Sequence, residues 1–155
     1  VRRLAALGAV LALAAGCGGS QPQAAPTTAL LTGVHVDRTS ATFEFRSPPG
    51  LVRTHFRPRS QIAESGSGRI VPLRGSAFLV VSFSPAATAD AGADGRLTLV
   101  YTGPRRLRPA TAGPVHELVK IGDFEAQLDW AIGLDRRRAV SVERHGATVT
   151  VMFGS

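Results

Sequence analysis

The chain has 155 residues, a net charge of +7, 44% hydrophobic and 19% charged residues, and a single cysteine. This composition excludes a wholly disordered chain, a coiled coil and a multi-pass membrane protein; one cysteine also excludes an internal disulfide framework and a cysteine-based zinc site. Roughly 120–125 residues remain once an export signal is set aside, enough for one domain with a real core.

Val1-Arg2-Arg3 is a short basic segment, and an apolar run from Leu4 to Ala15 follows it. A membrane-spanning helix needs about 20 residues, so the run reads as the hydrophobic part of a signal peptide, residues 1–16. It ends in Leu13-Ala14-Ala15-Gly16-Cys17. Small residues before a cysteine resemble a bacterial lipobox, in which the thiol receives a diacylglyceryl group. Cys17 is therefore the expected lipidation site, with the protein anchored on the extracytoplasmic face of the cell membrane. Residues 17–32 are rich in Gly, Gln, Ala, Pro and Thr and carry no charge, the pattern of a flexible tether. Nucleic acid is excluded as a partner at that location. A basic surface there would meet anionic lipid or acidic wall polymers.

From residue 33 to 155 the apolar residues alternate with period two, which predicts strands. Ala41, Phe43 and Phe45 alternate with Thr42, Glu44 and Arg46. Val52, Thr54 and Phe56 alternate with Arg53, His55 and Arg57. Ala77 to Phe83 is nearly all apolar, as in a strand buried on both faces. Pro85 to Asp94 is rich in alanine and reads as a loop. Leu97–Tyr101 and Val115–Ile121 are further strands. Asp123 to Ile132 reads as one strand with Phe124, Ala126, Leu128, Trp130 and Ile132 on the core side and Asp123, Glu125, Gln127 and Asp129 on the solvent side. Ala139–Glu143 and Ala147–Phe153 complete the set. Turn signals such as Pro48-Pro49-Gly50 and His145-Gly146 separate these segments. The expected fold is all-β: an antiparallel sandwich of about nine or ten short strands.

Chemistry-bearing motifs are scarce. The sequence holds no Gly-x-Ser-x-Gly nucleophile elbow, and His116-Glu117 is followed by Lys120 where a zinc helix needs a second histidine. The four histidines show no ligand spacing, so no metal, cofactor or catalytic residue is expected. Asp123, Glu125 and Asp129 form an acidic ladder, and Arg53, His55, Arg57 and Arg59 a basic one. The two could pair across strands, or bind an envelope ligand. A wall hydrolase working through the acidic ladder, and a small-ligand carrier with a cavity between the sheets, are the alternatives. Arg105, Arg106 and Arg108, and Arg136 to Arg138, read as exposed loop charges. Trp130 falls on the apolar parity and is expected in the core.

The order of several short pieces resembles the AMIN-like domain of actinobacterial lipoproteins. These are Phe43-Glu44-Phe45, Pro49-Gly50, Gly66-Ser67-Gly68, Pro72-Leu73-Arg74-Gly75, Tyr101-Thr102-Gly103, Gly122-Asp123-Phe124-Glu125, Trp130 and Gly133-Leu134. The resemblance implies a β-sandwich related to the AMIN module, which localises envelope proteins. It further implies a non-catalytic module that binds peptidoglycan or an envelope protein.

Overall fold

The computed structural model describes residues 27–154. The signal peptide, Cys17 and the tether up to residue 26 lie outside the described residues. Two five-stranded sheets face each other, and a two-stranded ribbon stands beside them. The first sheet holds β1 (Ala29–Val36), β2 (Ser40–Phe45), β5 (Ala86–Ala87), β11 (Val140–His145) and β12 (Thr148–Phe153), in the order β11-β12-β2-β1-β5. The second holds β3 (Leu51–Arg57), β4 (Ala77–Ser84), β8 (Arg106–Leu107), β9 (Val115–Phe124) and β10 (Gln127–Leu134), in the order β3-β4-β10-β9-β8. The ribbon pairs β6 (Ala89–Ala91) with β7 (Leu97–Leu99). All pairings are antiparallel except the short β1–β5 contact, where Ala29 and Leu30 run parallel to Ala86 and Ala87. The expected all-β sandwich is the observed fold.

Period-two alternation fills the space between the sheets. Leu31, Phe43, Phe83, Trp130, Val149 and Leu128 are fully buried there. Phe43 lies 4.8 Å from Phe83 and 5.9 Å from Trp130 between ring centroids, and Tyr101 meets Trp130 edge-on at 5.9 Å. Such offset and edge-on pairs are the favourable arrangements for aromatic rings. Trp130 is thus a core residue, as its parity predicts. Its indole N–H has no hydrogen-bond partner among the described residues.

A second, smaller core lies on the outer face of the second sheet. The segment from 58 to 76 folds across that face and lays Ile62, Val71 and Leu73 over Phe78, Val80, Val119, Ile121 and Ala131. Gly133 permits the closest approach: a side chain there would run into the Arg74 carbonyl. This explains why β4 is apolar on both faces.

Three expectations are corrected. The boundary at residue 32 falls inside β1, because Ala29 and Leu31 are fully buried and the Ala29 N–H donates to the Pro85 carbonyl at 3.0 Å. Pro85 to Asp94 is not a loop but contributes β5 and β6. The segment Asp123 to Ile132 is not one strand. Glu125 and Ala126 adopt left-handed backbone, φ 49° and 56°, and form the two-residue turn of the β9–β10 hairpin. Such a turn pairs Phe124 with Gln127, so parity switches across it. Phe124 consequently lies outside the core and is 68% exposed.

Candidate functional site

Half of the outer face of the second sheet is covered by the second core, and half is open. Strand alternation decides what the open half presents. On β3 the residues facing outward are Arg53, His55 and Arg57; on β4 they are Ser82 and Ser84; on β10 they are Gln127 and Asp129. Register places Arg53 beside Ser82 and Ser82 beside Asp129, so the three share one row across the sheet. Asp129 in turn lies opposite Gly122 of β9. Leu51, Arg53, His55, Arg57, Ser82, Ser84 and Gln127 line a groove of about 440 Å³.

Gly122 shapes one margin of the groove. Any side chain there would collide with the Ser65 hydroxyl of the covering segment and crowd the Asp129 carboxylate. The Ser65 N–H donates to the Ile121 carbonyl at 2.8 Å, which pins that segment to the sheet. Within the groove the Gln127 side-chain amide donates to Asp129 at 3.0 Å. The Arg57 guanidinium donates through Nε to His55 Nε2. Burial, and then the Arg57 charge, push the His55 pKa below its ordinary value, against a smaller upward pull from Asp129. His55 therefore accepts from Arg57 as a neutral imidazole at neutral pH. The row offers guanidinium and amide donors, two hydroxyls and one carboxylate acceptor. That is a mixed polar surface of donors and acceptors.

Arg53, His55, Arg57 and Asp129 are therefore brought onto one face, but Asp123 and Glu125 are not among them. Asp123 stands in register with the core residue Leu128, on the opposite side of the sheet. There it accepts hydrogen bonds from the Thr88 hydroxyl and from Lys120 Nζ, the latter at 3.2 Å. Glu125 sits in the hairpin turn. The acidic ladder is dispersed because the turn switches parity. The expected pairing of the two ladders across strands also gives way, since β4 separates β3 from β10. Arg53 and Asp129 are roughly 10 Å apart across two inter-strand spacings, with Ser82 between them.

The loop arginines are more deeply engaged than the sequence suggests. Arg106 Nη1 lies 2.6 Å from Glu117 Oε2, and Arg108 Nε donates to Oε1 at 2.9 Å. The Glu117 side chain is 1% exposed. Burial raises its pKa, but bonds from Arg106, the Arg74 N–H and Arg108 outweigh burial and hold it below the ordinary value. Arg105 and Arg69 hold Glu64 at 2.5 and 2.9 Å. Arg138, whose side chain is 7% exposed, is bound to Asp135 at 2.7 Å. Ser82, Ser84 and the buried anchoring role of Glu117 escape a reading from sequence. Their signal is a polar residue set inside an otherwise apolar strand.

No group of three or more His, Cys, Asp or Glu residues is arranged to hold a metal among the described residues. No described helix is long and apolar enough to cross a membrane. The family model of the AMIN-like domain matches residues 26–151. No curated protein and no solved structure matches the chain.

Proposed function

We infer the function from one premise: the chain belongs to the AMIN-like domain family. The family points to an envelope-associated binding module outside the cytoplasm. Our reading is a non-catalytic module, anchored through a lipid at Cys17 on the extracytoplasmic face of the cell membrane, that binds peptidoglycan or an envelope protein. The observation that carries it is the open half of the second sheet, where Arg53, Ser82 and Asp129 stand in one row beside His55 and Arg57. A row of alternating donors and acceptors suits a polymer of hydroxyl, amide and carboxylate groups, which needs both. The filled space between the sheets favours such an outer surface over a carrier cavity. A hydrolase working through three convergent carboxylates loses its basis, because Asp123 and Asp129 occupy opposite faces of the sheet.

Co-sedimentation of the chain from Thr27 onward with isolated wall sacculi tests the binding claim. Retention that survives moderate salt and is lost in Arg53→Gln and Asp129→Asn supports it. Retention only at low salt would reduce it to net charge, and no retention would direct the search to an envelope protein. Fractionation of Cys17→Ala tests the anchor separately: the variant leaves the membrane fraction if the thiol carries the lipid.

A further inference from the structure

A second cleft opens at the far end of β3, beyond the groove already described. Phe56 and Arg57 at the end of that strand, Arg59, Phe78 at the start of β4, and Arg137 from the β10–β11 connection line about 530 Å³. Among the described residues three guanidiniums border it, and no carboxylate does. Each cation is engaged by something other than an acid. Arg59 lies 4.5 Å over the Phe78 ring and donates to the Leu73 and Gly75 carbonyls at 2.7 and 2.9 Å. Arg137 lies 4.7 Å over the Phe56 ring and forms no ion pair among the described residues. Arg57 donates to His55. The carboxylate nearest in sequence, Asp135, is already taken by Arg136 and Arg138.

This differs from a solvated run of charge. Stacking on a ring fixes a guanidinium in place, and Arg137, which makes no side-chain hydrogen bond among the described residues, keeps its donor edge free, so little ordering remains to be done when an anion arrives. Positive charge gathered without acid is unfavourable in the empty protein and is relieved by a bound anion. The planar fork of arginine matches two oxygens of a tetrahedral phosphate, and arginine keeps its charge at every physiological pH. Phe78 is buried, and one guanidinium stacks on each of the two rings. We propose that this cleft binds the phosphate ester groups of a soluble envelope polymer, at a site that meets the polar groove of the same sheet at Arg57.

The proposal stands without the lipid anchor and without peptidoglycan binding. It is tested on the full chain in detergent micelles at physiological salt by calorimetric titration with poly(glycerol phosphate). Parallel titrations use polyglutamate as a carboxylate polymer and vesicles of phosphatidylglycerol in phosphatidylcholine. The expected result is saturable binding of the phosphate polymer, weakened roughly tenfold in Arg137→Gln, the loss of one charge-assisted contact. Arg53→Gln, in the other groove, should leave it unchanged. The Arg137 side chain makes no hydrogen bond to the backbone among the described residues, so its substitution should leave the fold intact, which a melting curve checks; Arg137→Lys, which keeps charge but loses the fork, should weaken binding as well. Equal affinity of wild type and Arg137→Gln would overturn the proposal. So would equal binding of polyglutamate, binding to the vesicles alone, or no binding of the phosphate polymer.

Discussion

Glu117 Oε2 lies 2.6 Å from Arg106 Nη1, and only the acid of that pair is buried: its side chain is 1% exposed against 38% for the arginine. The inequality predicts an asymmetry. Removing Arg106 and Arg108 together, as glutamines, strands a charge inside the fold and should destabilise by about 3–5 kcal/mol. Glu117→Gln lets both arginines turn to water and should cost less, about 1–3 kcal/mol, chiefly through weakened hydrogen bonds. Urea unfolding of the three proteins measures both. Equal losses would mean that the arginines, and not the carboxylate, bear the penalty.

Trp130 and Phe124 give a paired prediction. Trp130→Ala empties the centre of the inter-sheet core and should destabilise by about 3–5 kcal/mol. Trp130→Phe keeps a ring against Phe43 and Tyr101 and discards an N–H that has no partner among the described residues, so it should cost distinctly less. Phe124→Ser, at the exposed turn, should change stability by no more than about 0.5 kcal/mol. A large loss there would restore the single-strand reading of Asp123 to Ile132.

Acid stability should depend on Glu64. Hydrogen bonds from Arg105, then Arg69 and Ser67, lower its pKa from 4.5 to about 2. A carboxylate with a depressed folded pKa contributes stability that is fully present above its unfolded value and lost as pH falls through the folded one. The contribution of Glu64 therefore disappears between about pH 4.5 and 2. Comparing melting temperatures of wild type and Glu64→Gln across that window should show a shallower acid slope in the variant. The carboxylates of Glu117 and Asp135, also shifted down, steepen the same limb in both proteins.

His55 titrates in the opposite sense to a histidine that has gained an acidic partner. Its folded pKa lies below 6.5, so the folded state takes up the proton later than the unfolded state as pH falls. Stability from this group is complete above 6.5 and declines as pH drops toward the folded pKa. Proton chemical shifts of the imidazole should place its midpoint below 6.5. Arg57→Gln should raise the midpoint, and Asp129→Asn should lower it further.

Much of the fold is legible in the chain because burial of alternate residues is a local rule. Phe43 and Phe45, Val149 and Val151, and Trp130 reach the core on the parity that the sequence displays. Part of the candidate site is legible for the same reason: Arg53, His55 and Arg57 share a face because they are two residues apart on one strand. The reading fails where the backbone breaks the period. Glu125 and Ala126 adopt left-handed geometry without glycine, so nothing in their identity marks the turn that carries Asp123 away from Asp129.

The sequence by itself determined the all-β class, the core role of Trp130 and the family. These follow from periodicity and from the order of short motifs along the chain. Only the tertiary structure decided which charges meet. Arg53 shares a row with Asp129, Arg106 and Arg108 close on Glu117, and Arg59 and Arg137 border one cleft, because strand order and the path of residues 58–76 bring distant segments together. Charge pairing depends on distances of a few ångströms between residues far apart in sequence. Periodicity along one strand carries no information about them.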